Sequence, residues 1–71
     1  MRAKSAFADL VRANLRRLRH ERLLTGAALA ERMGISRVFY VQIEGGRRGM
    51  SVDHLDAAAR ALGVPVRLLV E

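Results

Sequence analysis

The sequence predicts an all-α fold, one compact domain of five short helices. Three observations carry that expectation. Apolar residues recur at three- and four-residue spacing along most of the chain, the period of an amphipathic helix. Ser and Thr residues suited to capping, and glycines suited to ending a helix, punctuate those stretches in the right order. No stretch alternates apolar and polar residues as a half-buried strand does, and there is no repeat, linker or low-complexity segment.

The first helix is expected over Ser5 to Arg22, where Phe7, Leu10, Val11, Leu15 and Leu18 form one apolar stripe. Arg12, Arg16, Arg17 and His20 fall mostly outside it, either as a solvated basic face or as phosphate contacts. Basic amphipathic helices also lie on membranes, but this stripe has other helices to pack against. The second helix is expected over Gly26 to Met33, capped by Thr25, with Leu29 and Met33 facing inward. Ala27, Ala28 and Ala30 let it pack closely.

The string Met33-Gly34-Ile35-Ser36 reads as a tight turn. Gly34 takes positive φ at low cost and ends one helix; Ser36 caps the next. The third helix then runs from Ser36 to Glu44, with Tyr40 and Ile43 as its buried pair. Arg37, Val38, Val41 and Gln42 are left on the opposite side. Gly45 to Gly49 is a glycine-rich basic loop carrying Arg47 and Arg48. The fourth helix, Ser51 to Leu62, is capped by Ser51, complemented by Asp53 and ended by Gly63. Leu55, Ala58, Ala59 and Leu62 make its inner stripe, and Pro65 opens a short fifth helix to about Val70.

A chain of 71 residues holds one domain, taken as residues 1–71, and a core this small supplies little net stability. With no Cys there is no disulfide, thiolate metal site or thiol nucleophile. Hydrophobic residues make up 51% of the chain, a surplus that points to a second buried surface, most simply a homodimer interface. Met50, Val52, Val66, Leu69 and Val70 are the expected interface residues, being apolar with little core left to fill. No run approaches the ~20 apolar residues of a membrane span, and the N-terminus lacks a signal-peptide apolar run. A soluble, cytoplasmic protein without membrane partner is expected.

The net charge is +6 and the isoelectric point about 11.5, which favours a polyanionic partner, nucleic acid first. Residues 1–22 hold seven Lys/Arg against Asp9 and Glu21; the rest holds six Arg against five acids. The positive field therefore comes mainly from the first helix. It aids encounter without specifying sequence.

Two short helices joined by a tight turn make a helix-turn-helix, and its second helix fits a DNA major groove. Double-stranded DNA is thus the expected partner. Arg37 suits base readout, since a guanidinium bonds bidentately to guanine O6 and N7; phosphate or solvent is its alternative. Gln42 reads adenine or holds a phosphate. Val38 and Val41 press on thymine methyls or form a protein-contact surface. Arg48, after two glycines, enters the groove or clamps a phosphate, and Arg47 is similar. Thr25, Gly26, Ser36 and Ser51, with cap hydroxyls or open N–H groups, are candidate phosphate contacts. Phe39 packs beside the DNA backbone or against the second helix.

Enzyme chemistry finds no footing. His20 and His54 lack companion ligands, so no metal is expected; Asp53 and Asp56 share a helix face as solvated, dipole-facing acids. No Gly-rich phosphate motif or Ser/His/Asp set is present, and no cofactor or small-molecule ligand is expected.

The ordered set Arg19, Leu24, Leu29-Ala30, Gly34, Ser36, Ile43-Glu44, Gly46, Leu55, Ala59 and Leu62-Gly63-Val64 resembles the Xre-type helix-turn-helix domains, the fold of Cro and the lambdoid phage repressors. The resemblance covers roughly residues 10–70. It implies a five-helix repressor-like domain, reading an inverted-repeat operator as a homodimer through its third helix. It also implies a structural ion pair between Arg19 and Glu44. Within that family the chain is similar to the controller proteins of restriction–modification systems, through the string Ser36-Arg37-Val38-Phe39-Tyr40-Val41-Gln42-Ile43-Glu44 and through Arg48 and Ser51. That implies regulation of its own operon and a neighbouring nuclease gene. Two positions depart from the pattern: Gly26 stands where the family usually has Gln, and Val38 and Val41 stand where polar residues are usual. The alternatives left open are a phage-type repressor or antitoxin, and a protein-interaction module that uses the fold without reading DNA.

Overall fold

In a computed structural model, residues 5–71 are described, and they form α1 (Ala6–Glu21), α2 (Gly26–Met33), α3 (Arg37–Glu44), α4 (Val52–Leu62) and α5 (Arg67–Val70). Arg2 and Lys4, part of the basic N-terminal segment, lie outside the described residues.

The helix starts follow from short polar side chains. Ser5, Thr25, Ser36 and Ser51 are extended, and each hydroxyl oxygen accepts a backbone N–H three residues on at 3.0 Å. Such caps stabilise a helix by about 1 kcal/mol each. At α4 the closure is reciprocal, because the Ser51 N–H donates to His54 Nδ1 at 3.3 Å. The helix ends repeat one motif. After α2, Gly34 N–H donates to Glu31 O and Ile35 N–H to Ala30 O; after α4, Gly63 N–H donates to Arg60 O and Val64 N–H to Ala59 O. α1 ends the same way, with Leu23 N–H to His20 O and Leu24 N–H to Arg19 O. There the left-handed position is held by Leu23, at φ 55°, where a glycine would be unstrained.

The core gathers Leu15 and Leu18 of α1, Leu29, Ala30 and Met33 of α2, Tyr40 and Ile43 of α3, Ala58, Ala59 and Leu62 of α4, and Leu69 of α5. α1 packs against α5, α3 and α4, and α2 bridges α3 and α4. Three expectations are corrected. Phe7 and Leu10 are exposed, because at this end of α1 Val11 alone of the stripe is buried and Phe7 lies in an open groove beside Met50 and Val52. Leu69 is fully buried and belongs to the core rather than to a dimer surface, because α5 lies along α1. α5 is shorter than expected: Leu68 N–H donates to Pro65 O and Leu69 N–H to Val66 O, so Pro65 and Val66 open a tight turn that leads into the helix at Arg67.

A buried Asn14 joins α1 to the chain end. Its Nδ2 donates to Leu69 O at 2.9 Å and to Glu71 O at 3.4 Å. Among the described residues no buried side-chain polar atom lacks a partner. Arg22 donates from Nε to Leu62 O at 2.7 Å, tying the end of α1 to the end of α4.

Candidate nucleic-acid interface

α3 is amphipathic in a way its neighbours dictate. Tyr40 and Ile43 are 1% and 0% exposed, whereas Val38 and Val41 stand 67% and 55% exposed on the opposite flank. Arg37, at the first helical position, is exposed beside them, and Gln42 is half-buried. This flank is open to solvent along its length.

Two shallow recesses border it. One lies between the start of α2 and α3 and is lined by Arg16, Thr25, Gly26, Arg37 and Val41, among others. The other is lined by Ser36, Val38, Phe39, Gln42 and Arg48. The sequence-expected readout residues and the expected contacts Thr25, Gly26, Ser36 and Phe39 therefore come together around one helix. Arg47 sits further along the loop, in a groove shared with Arg12 and Arg16 of α1. Ser51 does not line the open flank of α3; it borders a separate apolar groove with Phe7, Met50 and Val52. The capping hydroxyls of Thr25 and Ser36 accept backbone N–H groups, which leaves each O–H proton free to donate to an anion.

Glu44 anchors the end of α3. Its carboxylate accepts Arg19 Nη2 at 2.9 Å and Arg19 Nε at 3.0 Å, a two-pronged pair, and also Arg16 Nε at 3.3 Å. Tyr40 Oη donates to the same group. Arg19 Nη1 meanwhile donates to Leu24 O at 2.9 Å, so one guanidinium links α1, the α1–α2 turn and the end of α3. Burial alone would push the Glu44 carboxyl up. The hydrogen bonds from Arg19 and Tyr40, with the Arg19 charge, outweigh it and hold the carboxyl below the usual range. Burial, then the bond to Glu44, raises the Tyr40 phenol well above its ordinary value.

Gly26 has a steric reason. A β-carbon there would stand 3.3 Å from Cδ2 and Cε2 of the Tyr40 ring, a tight contact to which the ring must yield by a few tenths of an ångström. After α3, Gly46 at φ 83° reverses the chain, and both Arg47 and Arg48 N–H groups donate to Gln42 O, at 2.8 and 3.1 Å. Arg12 packs over the bare Gly46, with a β-carbon there placed 3.2 Å from Arg12 Nε.

The sequence reading missed the cluster beyond that turn. Arg48 donates from Nε to Gln42 Oε1 at 2.6 Å, and its Cζ stands 5.1 Å above the Phe39 ring. Phe39 in turn meets the His54 ring edge-on at 5.0 Å. The Ser51-x-x-His54 spacing was the available signal, since it places His54 in the first turn of α4 facing the cap. Among the described residues no group of three or more His, Asp or Glu side chains gathers as a metal site, and no helix is long and apolar enough to cross a membrane.

Residues 10–71 match the helix-turn-helix domain family. The chain belongs to that family. Solved helix-turn-helix structures agree. The restriction–modification controller protein C.AhdI of Aeromonas hydrophila is 34% identical, with 89% of this chain and 98% of that chain covered and a TM-score of 0.79. The clp gene regulator ClgR of C. glutamicum is 27% identical over 93% of this chain and 86% of that chain, at a TM-score of 0.83. A hypothetical transcription factor, NHTF, from Neisseria shares the fold at TM-score 0.85 and 23% identity, with 90% and 72% covered. Among curated proteins none matches the chain. The fold of this helix-turn-helix protein is that of DNA-binding transcription regulators, which are not enzymes.

Proposed function

We propose that the chain is a sequence-specific transcription regulator that reads an inverted-repeat operator as a homodimer, and that it serves as the controller protein of a restriction–modification operon. The observation that carries the DNA reading is the open flank of α3, with Arg37, Val38, Val41 and Gln42 side by side and Arg48 alongside. Arg37 takes a guanine edge, Val38 and Val41 meet thymine methyls, and Thr25, Gly26, Ser36 and Arg47 hold phosphates on either side. Phe39 and Ser51 act from behind, packing Arg48 and capping α4. The controller assignment is supported by the 34% identity to C.AhdI over 98% of that chain.

The homodimer is supported by apolar surface left uncovered. Val52 is 82% exposed, Phe7 57% and Val66 39%, while Met50 and Val70 are half-buried at the core's edge. Phe7, Met50 and Val52 share one groove. Two copies related by a two-fold axis would set their α3 helices about one helical turn apart on DNA, ~34 Å.

A second reading is favoured by the exposed Val38 and Val41: a module that binds another protein through α3. A titration on duplex DNA from upstream of its own gene separates the two. DNA readout gives a footprint and a linear fall of log affinity with log salt, with several counterions released. A protein-binding module gives neither.

A further inference from the structure

We propose that Gln42 and Arg48 form one hydrogen-bonded reading unit that takes guanine and rejects adenine. This rests on α3 being the DNA-reading helix and specifies what one part of that helix reads.

Glutamine alone is ambiguous in a major groove. Its amide can pair with adenine through both groups, accepting from N6 and donating to N7, or it can donate to guanine. Here Arg48 removes the ambiguity. A guanidinium carries only donors, so the Gln42 atom that faces Arg48 Nε at 2.6 Å is the amide oxygen. The amide NH₂ is turned away. The unit then offers the four Nη hydrogens of Arg48 and two from Gln42, against at most one remaining lone pair on Oε1.

Adenine and guanine differ at the atom this unit would meet. Adenine places an amino group, with hydrogens outward, on C6; guanine places a carbonyl there. A bidentate adenine on Gln42 would bring its amino hydrogens to Oε1, beside the Arg48 cation that already takes one of its two lone pairs. Guanine O6 and N7 instead face donors on both sides. The helix supplies no free carboxylate: Glu44 is the one acid of α3, and Arg19, Tyr40 and Arg16 hold it.

The unit is built rather than incidental. The backbone N–H groups of Arg47 and Arg48 both donate to Gln42 O, which lays the loop against residue 42. Phe39 supports the guanidinium from behind at 5.1 Å, His54 supports Phe39, and Ser51 N–H holds His54 Nδ1. Phe39, His54 and Ser51 are thus positioning residues for a base contact they do not make.

The test is selection from a pool of randomised duplex DNA by the wild-type protein and by Gln42→Ala and Arg48→Ala, followed by competition between duplexes differing at one base pair. The pair read by the unit is the one whose preference Gln42→Ala erases. Wild type is expected to prefer G·C over A·T there by roughly tenfold or more. Arg48→Ala frees the Gln42 oxygen, and the preference at that same pair is expected to move toward A·T. Adenine selected by the wild type at that pair, or preferences erased at two unrelated pairs by the two variants, overturns this inference and leaves DNA reading standing. A wild-type protein that enriches no sequence overturns both.

Discussion

Arg19 and Glu44 meet fork to fork, with Nη2 to Oε1 at 2.9 Å and Nε to Oε2 at 3.0 Å, and their side chains are only 13% and 12% exposed. This pair fixes the end of α3 against α1. Removing one partner strands the other charge. Arg19→Met and Glu44→Gln are expected to lower the unfolding free energy by about 2–3 kcal/mol, less than for a fully dry pair because some solvent reaches both groups. Urea unfolding measures it; a loss under about 0.5 kcal/mol contradicts the anchoring role.

The same pair carries a pH signature. The folded Glu44 carboxyl lies below its unfolded value of 4.5, so its contribution is fully present above that value. It is lost as pH falls from there through the folded pKa. Wild-type stability is expected to drop across this acid range more steeply than that of Glu44→Gln. Parallel curves from pH 6 to pH 3 contradict it.

Leu23 is 91% exposed and sits at φ 55°, so its side chain buries nothing while its backbone is strained. Leu23→Gly relieves the strain at some cost in unfolded-chain entropy. A net stabilisation of about 0.5–1 kcal/mol is expected, and a rise in Tm of a few degrees for a domain this small. An unchanged or lower Tm contradicts the strain.

Gly26→Gln would restore the residue usual in the family, yet here it is expected to destabilise by about 1 kcal/mol. Its β-carbon meets the Tyr40 ring at 3.3 Å, and that ring is 1% exposed and tied to Glu44. In a Tyr40→Leu background the penalty for Gly26→Gln is expected to vanish, a coupling that a double-mutant cycle reads directly.

Much of this was legible in the sequence. Ser and Thr caps, Gly34 and Gly63 mark the helix borders because capping is local chemistry, and the Tyr40/Ile43 pair follows from helical spacing. Phe7, Leu10 and Leu69 were misplaced because periodicity names a face without saying how far along a helix its partner extends. Asn14 escaped notice because a polar residue on an apolar face looks like an interruption until a distant carbonyl is there to meet it. The Gln42–Arg48–Phe39–His54 chain depends on a loop reversal and on two helices meeting, neither of which spacing encodes.

The proposed dimer surface centres on residues that stay outside the core. Val52→Glu and Val66→Glu are expected to remain folded, to sediment as monomers and to bind operator at least tenfold more weakly. Leu69→Ala, by contrast, is expected to cost about 2–5 kcal/mol of stability, since it empties a core site. Dimers persisting in both Glu variants contradict the proposed surface.

In the proposed function the open flank of α3 enters the major groove. Methylation interference on a selected operator tests it most directly, because dimethyl sulfate marks guanine N7 in the major groove and adenine N3 in the minor. Methylated guanine N7 is expected to block binding in two clusters about one helical turn apart, and Arg37→Ala to erase one guanine from each cluster. Interference confined to adenine N3, or none at any base, would contradict it.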